Sequence, residues 1–364
     1  MTLPTTMDAI VMTAHGGPEV LQFRTDWPVP HPGPGQVLIR VTACGMNNTD
    51  VNTRAGWYSK TVTGATTDAA LLTQADEDPS WGGAPMQFPR IQGADAVGYV
   101  VAVGAEADHA LMGKRVMVDC WLRDWTDPLN KDSTGYFGSE CDGGFAQYTV
   151  ADHQNVAPIT SALSDAELAT FACSASTAEG MLSRAHVDQG DTVLVTGASG
   201  GVGTALIQLA KRRGARVVGL ASESKHADLA QLSPDALLPR APVDLPGALL
   251  AAIGQSRVSV VADIVGGDYF PTLIEALERG GRYTCSGAIG GPIVALDLRT
   301  LYLHDLTFTG STVLPPHVFK DLVGYIERAE IKPMLAATYP LRDFHAAQAA
   351  FVQKRHTGNI VVLP

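Results

Sequence analysis

The sequence predicts an α/β protein with two domains: an irregular antiparallel β domain of barrel type, then a doubly wound parallel sheet. Three observations predict this. Short β-type runs broken by Gly/Pro turns fill the first 155 positions. From about position 160, strand and helix patterns alternate, the rhythm of a parallel sheet flanked by helices. Within that second half a glycine-rich loop joins a buried strand directly to a helix.

In chain order, residues 37–41 (VLIRV), 97–103 (VGYVVAV) and 115–119 (RVMVD) read as strands, with Pro-Gly-Pro-Gly at 32–35 as a turn. Two connections are long, 59–88 and 120–141. Such length usually marks a functional loop, and a plain solvated insertion is the competing reading. Residues 192–196 (TVLVT) are apolar without alternation, as a parallel strand buried on both faces requires. A helix over 204–213 and strands over 216–220, 258–264 and 282–285 continue the series, with an edge strand at 306–309. A helix over 344–355 and a closing strand over 359–363 break the rhythm, and this tail is expected to return to the first domain. The expected boundaries are 1–157, with the return of 325–364, and 158–324.

Composition narrows the class. With 46% hydrophobic and 17% charged residues the chain has material for a sizeable core, which sets disorder aside. No apolar run reaches the roughly 18–20 residues of a membrane span. Residues 1–11 show no basic stretch followed by an apolar one, so no secretory signal is expected. A formal net charge of −11 repels phosphate backbones and anionic lipid, so neither nucleic acid nor membrane is an expected partner. The five cysteines form no C-x-x-C pair, and their odd number argues against a disulfide framework. A cytoplasmic location is expected.

The glycine-rich loop carries the cofactor reading. Residues 193–204 read VLVTGASGGVGT, so a buried strand runs into Ala198-Ser199-Gly200-Gly201-Val202-Gly203 and a helix follows. A tight turn, open backbone beside the phosphates and a small third position are the needs of a Rossmann-type pyrophosphate loop. The helix start adds free N–H groups and a positive dipole end. Ala198 stands where the first glycine of G-x-G-x-x-G would be. The tip of the next strand separates NAD from NADP, because NAD sites usually carry a carboxylate there. Strand length puts Ala221 at that position and Ser222 after it, with Glu223 and Lys225 beyond. Ser222 and Lys225 are expected to hold a 2′-phosphate, so the expected cofactor is NADPH.

Taken with Gly45-Met46-Asn47-Asn48-Thr49-Asp50, Gly93-Ala94-Asp95-Ala96-Val97-Gly98 and the closing Gly358-Asn359-Ile360-Val361, the chain resembles the medium-chain dehydrogenase/reductase superfamily over nearly its whole length. The resemblance implies a GroES-like β-barrel domain followed by a Rossmann domain. It implies cofactor contacts at Thr177, Gly287 and Asn359 as well as at the loop. In the zinc branch of that superfamily the metal ligands fall at the positions of Asn47, Ala94 and Cys173. Only Cys173 remains, and one thiol does not hold catalytic zinc. No metal is expected, Cys173 is read as a small buried apolar residue, and Asp95 as structural.

The spacing N-x-x-D-x-N-x-x-x-G-x-Y over 47–58 is similar to the zinc-free enoyl thioester reductases and quinone oxidoreductases. That resemblance implies catalytic roles for Asn47 and Tyr58, with the tyrosine as proton donor. The expected reaction is hydride transfer from nicotinamide C4 to the β-carbon of an enone, enal or quinone. Trp57, Trp81, Met86 and Phe88 either line a pocket for an apolar substrate or simply pack the loop onto the domain, and the acidic Asp76-Glu77-Asp78 argues against a coenzyme A thioester. The expected partners are a small apolar carbonyl or quinone and a second copy of the chain in a homodimer. Two alternatives stay open: a zinc-type alcohol dehydrogenase, and a nucleotide-binding protein without turnover.

Overall fold

A computed structural model describes residues 3–66 and 81–364. The central part of the long 59–88 connection, with Asp76, Glu77 and Asp78, lies outside the described residues. The first half builds a mixed sheet in which strand Gln36–Gly45 is the hub. It pairs antiparallel with Asp95–Val103 on one side and with Tyr148–Asp152 and Asn359–Leu363 on the other. Beyond Asp95–Val103 lie Arg115–Val118 and Val156–Pro158; beyond Asn359–Leu363 lies Leu335–Pro340. Thr6–Met12 and Leu21–Pro28 form a hairpin in a smaller sheet. The runs read at 37–41 and 97–103 lie within longer strands, whereas the run at 115–119 overshoots strand Arg115–Val118 by one residue.

The second half is an all-parallel six-stranded sheet. Its order is Ala236–Leu238, Arg216–Leu220, Thr192–Val195, Val258–Asp263, Leu277–Cys285 and Thr307–Gly310. The order reverses between Thr192–Val195 and Val258–Asp263, the switch point where doubly wound sheets bind nucleotides. The expected edge strand is at the edge. Val193, Leu194, Val195, Val217 and Val218 are fully buried, which is why those strands show no alternation. The helix after the glycine loop spans Gly201–Arg212, three residues earlier than its apolar pattern suggests.

Three features differ from the sequence reading. The 120–141 connection folds back as a hairpin of Trp121–Arg123 and Thr134–Tyr136. Helix Ala172–Arg184 fills the seam between the halves, where Ala172, Ala175 and Ala178 pack with Ala43, Val97, Val193 and Val361 in one apolar cluster. Its small residues carry no strong helical period, so it has no sequence signature. The tail helix ends at Val352, and the chain then crosses the dinucleotide loop before entering the first sheet as strand Asn359–Leu363.

Candidate functional site

The glycine loop sits at the C-terminal end of strand Thr192–Val195, where the parallel sheet offers a nucleotide crevice. Its tight turn is made by Gly197, with φ +56°, a left-handed conformation that favours glycine. This corrects the reading of Ala198. That residue is fully buried, and its N–H donates to the Leu220 carbonyl 3.1 Å away. Ala198 closes the turn from beneath and does not line the loop. Ser199, Gly200, Gly201 and Val202 remain half-exposed. Gly203 is buried, and a Cβ there would strike the Gly197 carbonyl, so it serves the close strand–helix approach. At Gly201 a Cβ would strike Ser174 Oγ and come within 2.7 Å of Asn359 Nδ2.

Asn359 is 4% exposed and donates to Ser174 Oγ at 3.1 Å. It braces the loop from the first-domain side, where the resemblance implied a direct cofactor contact. The tail runs alongside: the Gly358 N–H donates to the Ser199 carbonyl at 2.8 Å. Thr177 lies half-exposed one turn beyond Cys173 on the same helix face, and Gly287 is half-buried just past strand Leu277–Cys285.

The tip of strand Arg216–Leu220 is as expected in its residues but not in its cation. Ala221 is buried and Ser222 is half-exposed. Lys225 donates to the carbonyls of Lys354 and His356, both at 2.7 Å, and is 3.4 Å from Ser199 Oγ. Its ammonium ties the tail to the loop, where the sequence reading had it meet a 2′-phosphate. Arg240, exposed just past strand Ala236–Leu238, reaches Ser222 Oγ at 2.9 Å instead. No sequence signal marked Arg240, because a three-residue strand sets its position. Lys354, with φ +52°, donates to Asn48 Oδ1 at 2.7 Å; burial, then the nearby Lys225, pushes its ammonium down to about 7.

The second centre lies where the first sheet meets helix Ala172–Arg184. Asn47 caps helix Asn48–Ala55, and its N–H donates to Asp50 Oδ2 at 2.7 Å. Its side-chain Nδ2 donates to Asp95 Oδ2 at 2.9 Å, and Asp95 Oδ1 accepts the Cys173 N–H at 2.5 Å. Burial raises the Asp50 carboxyl to about 8 and the Asp95 carboxyl to about 7, against the hydrogen bonds they accept. Cys173 is more than a small apolar filler: its Sγ takes the Tyr136 hydroxyl at 3.0 Å. Tyr136 packs on Trp81 and Trp121, with ring centroids 5.4 and 5.1 Å away. Trp81 in turn packs on Tyr58 at 4.8 Å. Contacts thus run from Asn47 through Asp95, Cys173, Tyr136 and Trp81 to Tyr58. Tyr58 also packs with Trp57 beside Ala288 of the parallel-sheet half, so it stands at the seam. Met86 and Phe88 pack instead against the first-domain core. Neither Trp121 nor Tyr136 was singled out from the sequence, since they come from the hairpin read as a loop.

Two family models match: residues 33–161 fit an alcohol dehydrogenase GroES-like domain, and residues 201–328 fit a zinc-binding dehydrogenase. A solved structure from Sinorhizobium meliloti 1021, whose alcohol dehydrogenase assignment is provisional, is 45% identical with a TM-score of 0.90. It covers 100% of this chain and 98% of its own. The chain belongs to the medium-chain dehydrogenase/reductase superfamily. As a member of this superfamily it is an oxidoreductase with a GroES-like domain and a Rossmann-like sheet, in a family that uses nicotinamide cofactors. The quinone oxidoreductase of Pongo abelii is 26% identical over 98% of both chains. A crotonyl-CoA carboxylase/reductase solved with NADP is 26% identical, with a TM-score of 0.83 over 100% of this chain and 95% of its own. An NAD-dependent alcohol dehydrogenase is 29% identical, with a TM-score of 0.86 over 98% of this chain and 100% of its own.

The superfamily includes zinc enzymes, and zinc would make a definite demand on the donors here. Catalytic zinc takes three protein ligands. Around Asn47 the thiols and carboxyls present are those of Cys173, Cys44, Asp50 and Asp95, the two carboxyls already taken up by hydrogen bonds, and Ala94 offers nothing. Among the described residues no group of three His, Cys, Asp or Glu side chains is arranged to hold a metal ion. This donor set does not fit zinc. Among the described residues, no helix is long and apolar enough to cross a membrane.

Proposed function

We propose that the chain is an NADPH-dependent, zinc-independent reductase of activated C=C bonds in enones, enals or quinones. One observation carries the reading: where a zinc enzyme needs ligands, an amide is hydrogen-bonded to a carboxylate. That arrangement offers a hydrogen-bond donor where a metal would offer a Lewis acid. The loop 199–203, Thr177 and Gly287 would hold the nucleotide. Ser222 and Arg240, at a strand tip with no carboxylate at Ala221, favour the 2′-phosphate. The quinone oxidoreductase and the NADP-bound reductase among the relatives support the same reading.

When bound, NADPH supplies a hydride from C4. The β-carbon of the substrate accepts it, and the electron pair of the C=C bond moves onto the carbonyl oxygen. An Asn47 amide N–H donates to that oxygen as its charge grows. The Tyr58 phenol then supplies a proton to the α-carbon, which completes the saturated carbonyl. Aromatic rings at 57, 58 and 81 shield the seam from water.

The test is oxidation of NADPH and of NADH with a cyclic enone, an enal and a quinone, before and after exhaustive chelation, for the parent and Tyr58→Phe. NADPH turnover that survives chelation is expected, with NADH at least tenfold poorer. Tyr58→Phe is expected to lower kcat about 100-fold with little change in KM. Alcohol oxidation lost together with stoichiometric zinc would replace the reading by an alcohol dehydrogenase.

A further inference from the structure

Asp95 opens strand Asp95–Val103 and is fully buried, yet no basic side chain among the described residues pairs with it. A buried carboxyl without a counter-charge is unfavourable unless hydrogen bonds satisfy it. Here each oxygen has one partner, and the two partners come from different elements. Oδ1 takes the Cys173 N–H, a first-turn donor of helix Ala172–Arg184 that has no partner within its own helix. That bond fixes the carboxyl plane by backbone. Oδ2 is left aimed at the side chain of Asn47, 48 residues earlier in the chain.

Oδ2 accepts from Asn47 Nδ2, so Asn47 turns its NH2 and not its carbonyl toward Asp95. A primary amide has two N–H bonds. One is taken, and the other has no acceptor among the described residues. We propose that Asp95 is a positioning residue that sets the Asn47 carboxamide so that its second N–H meets the carbonyl oxygen of the substrate. The proposal rests on the reductase reading and gives its oxyanion donor a reason to point the right way. It also replaces the purely structural role expected for Asp95.

Asp95→Asn tests it. The variant keeps the size of the side chain and an acceptor for the Cys173 N–H. It turns an NH2 toward Asn47, whose carbonyl must rotate to meet it, and both Asn47 N–H bonds leave the substrate side. A fall in kcat of about 100-fold is expected, the scale of one lost oxyanion donor, with NADPH affinity within about threefold of the parent. The exchanged pair Asn47→Asp with Asp95→Asn rebuilds the bridge but leaves no N–H at position 47. It is expected to melt like the parent and to turn over as slowly as Asn47→Asp alone.

A readout free of turnover completes the set. In protein labelled with ¹⁵N-asparagine, the Asn47 side-chain amide should give a resolved, exchange-protected proton that Asp95→Asn abolishes. Recovery of kcat to within about threefold of the parent in the exchanged pair overturns the proposal. So does an Asn47 amide signal that Asp95→Asn leaves unchanged. A parent that reduces none of the C=C acceptors counts against the reductase reading, and the amide signal then decides the positioning by itself.

Discussion

Asp50 shows how a single buried carboxyl writes its environment into the pH dependence of the molecule. It faces the Asn47 N–H, Asp95 and Cys44, with no cation beside it among the described residues, and burial raises it to about 8. The folded chain therefore keeps a proton that the unfolded chain releases above about pH 4. Stability falls as pH rises between those values, by up to about 1.4 kcal/mol per pH unit for one such group. Asp95, raised to about 7, acts in the same direction. His356, which burial pushes down to about 4, opposes them below its ordinary value of 6.5. Lys354, lowered to about 7, opposes them only above pH 7. Melting temperatures of the parent and of Asp50→Asn from pH 5.5 to 7 check this. The parent should lose stability relative to the variant as pH rises, whereas two parallel curves would count against it. At this scale the sequence was half legible. The 47–58 spacing marked Asn47 and Tyr58, and Cys173 stood out as a surviving ligand position. The Asp95 bridge joins positions 48 and 78 residues apart, and no local pattern encodes that.

Elements position the loop from both domains, and Gly201 is where they meet. It is the first residue of helix Gly201–Arg212, with Ser174 of one helix and Asn359 of the closing strand against it. Gly201→Ala would insert a methyl group between them and break the Asn359–Ser174 hydrogen bond. NADPH affinity measured by calorimetry should fall about tenfold or more, about 1.4 kcal/mol, and Ser174→Ala in the same chain should restore part of it. Unchanged affinity in Gly201→Ala would mean that the brace does not shape the loop. The long parallel strands were legible because burial on both faces leaves an unbroken apolar run. Strand Ala236–Leu238 was not, because three residues, two half-buried and one buried, are too short a run, and Arg240 was lost with it. Helix Ala172–Arg184 escaped because Ala, Ser and Gly pack tightly without an amphipathic stripe.

For the whole molecule, the homodimer expected from the resemblance is our proposal. Its support is exposed apolar side chains in the stretch that leads into the edge strand Thr307–Gly310: Ile293, Leu298, Tyr302 and Leu303 are each more than half exposed. Such exposed patches mark association surfaces. Light scattering should give twice the chain mass, and Leu298→Glu with Leu303→Glu should halve it; a monomeric parent at micromolar concentration would sink the proposal. The closing strand Asn359–Leu363 has another effect, on the order in which the molecule comes into being. A ribosome delivers Gln36–Gly45 early, but one flank of that hub strand pairs with residues made more than three hundred positions later. During synthesis the parallel-sheet half can condense first, while the earlier-made half waits with an unpaired strand edge open to chaperones or to neighbouring nascent chains.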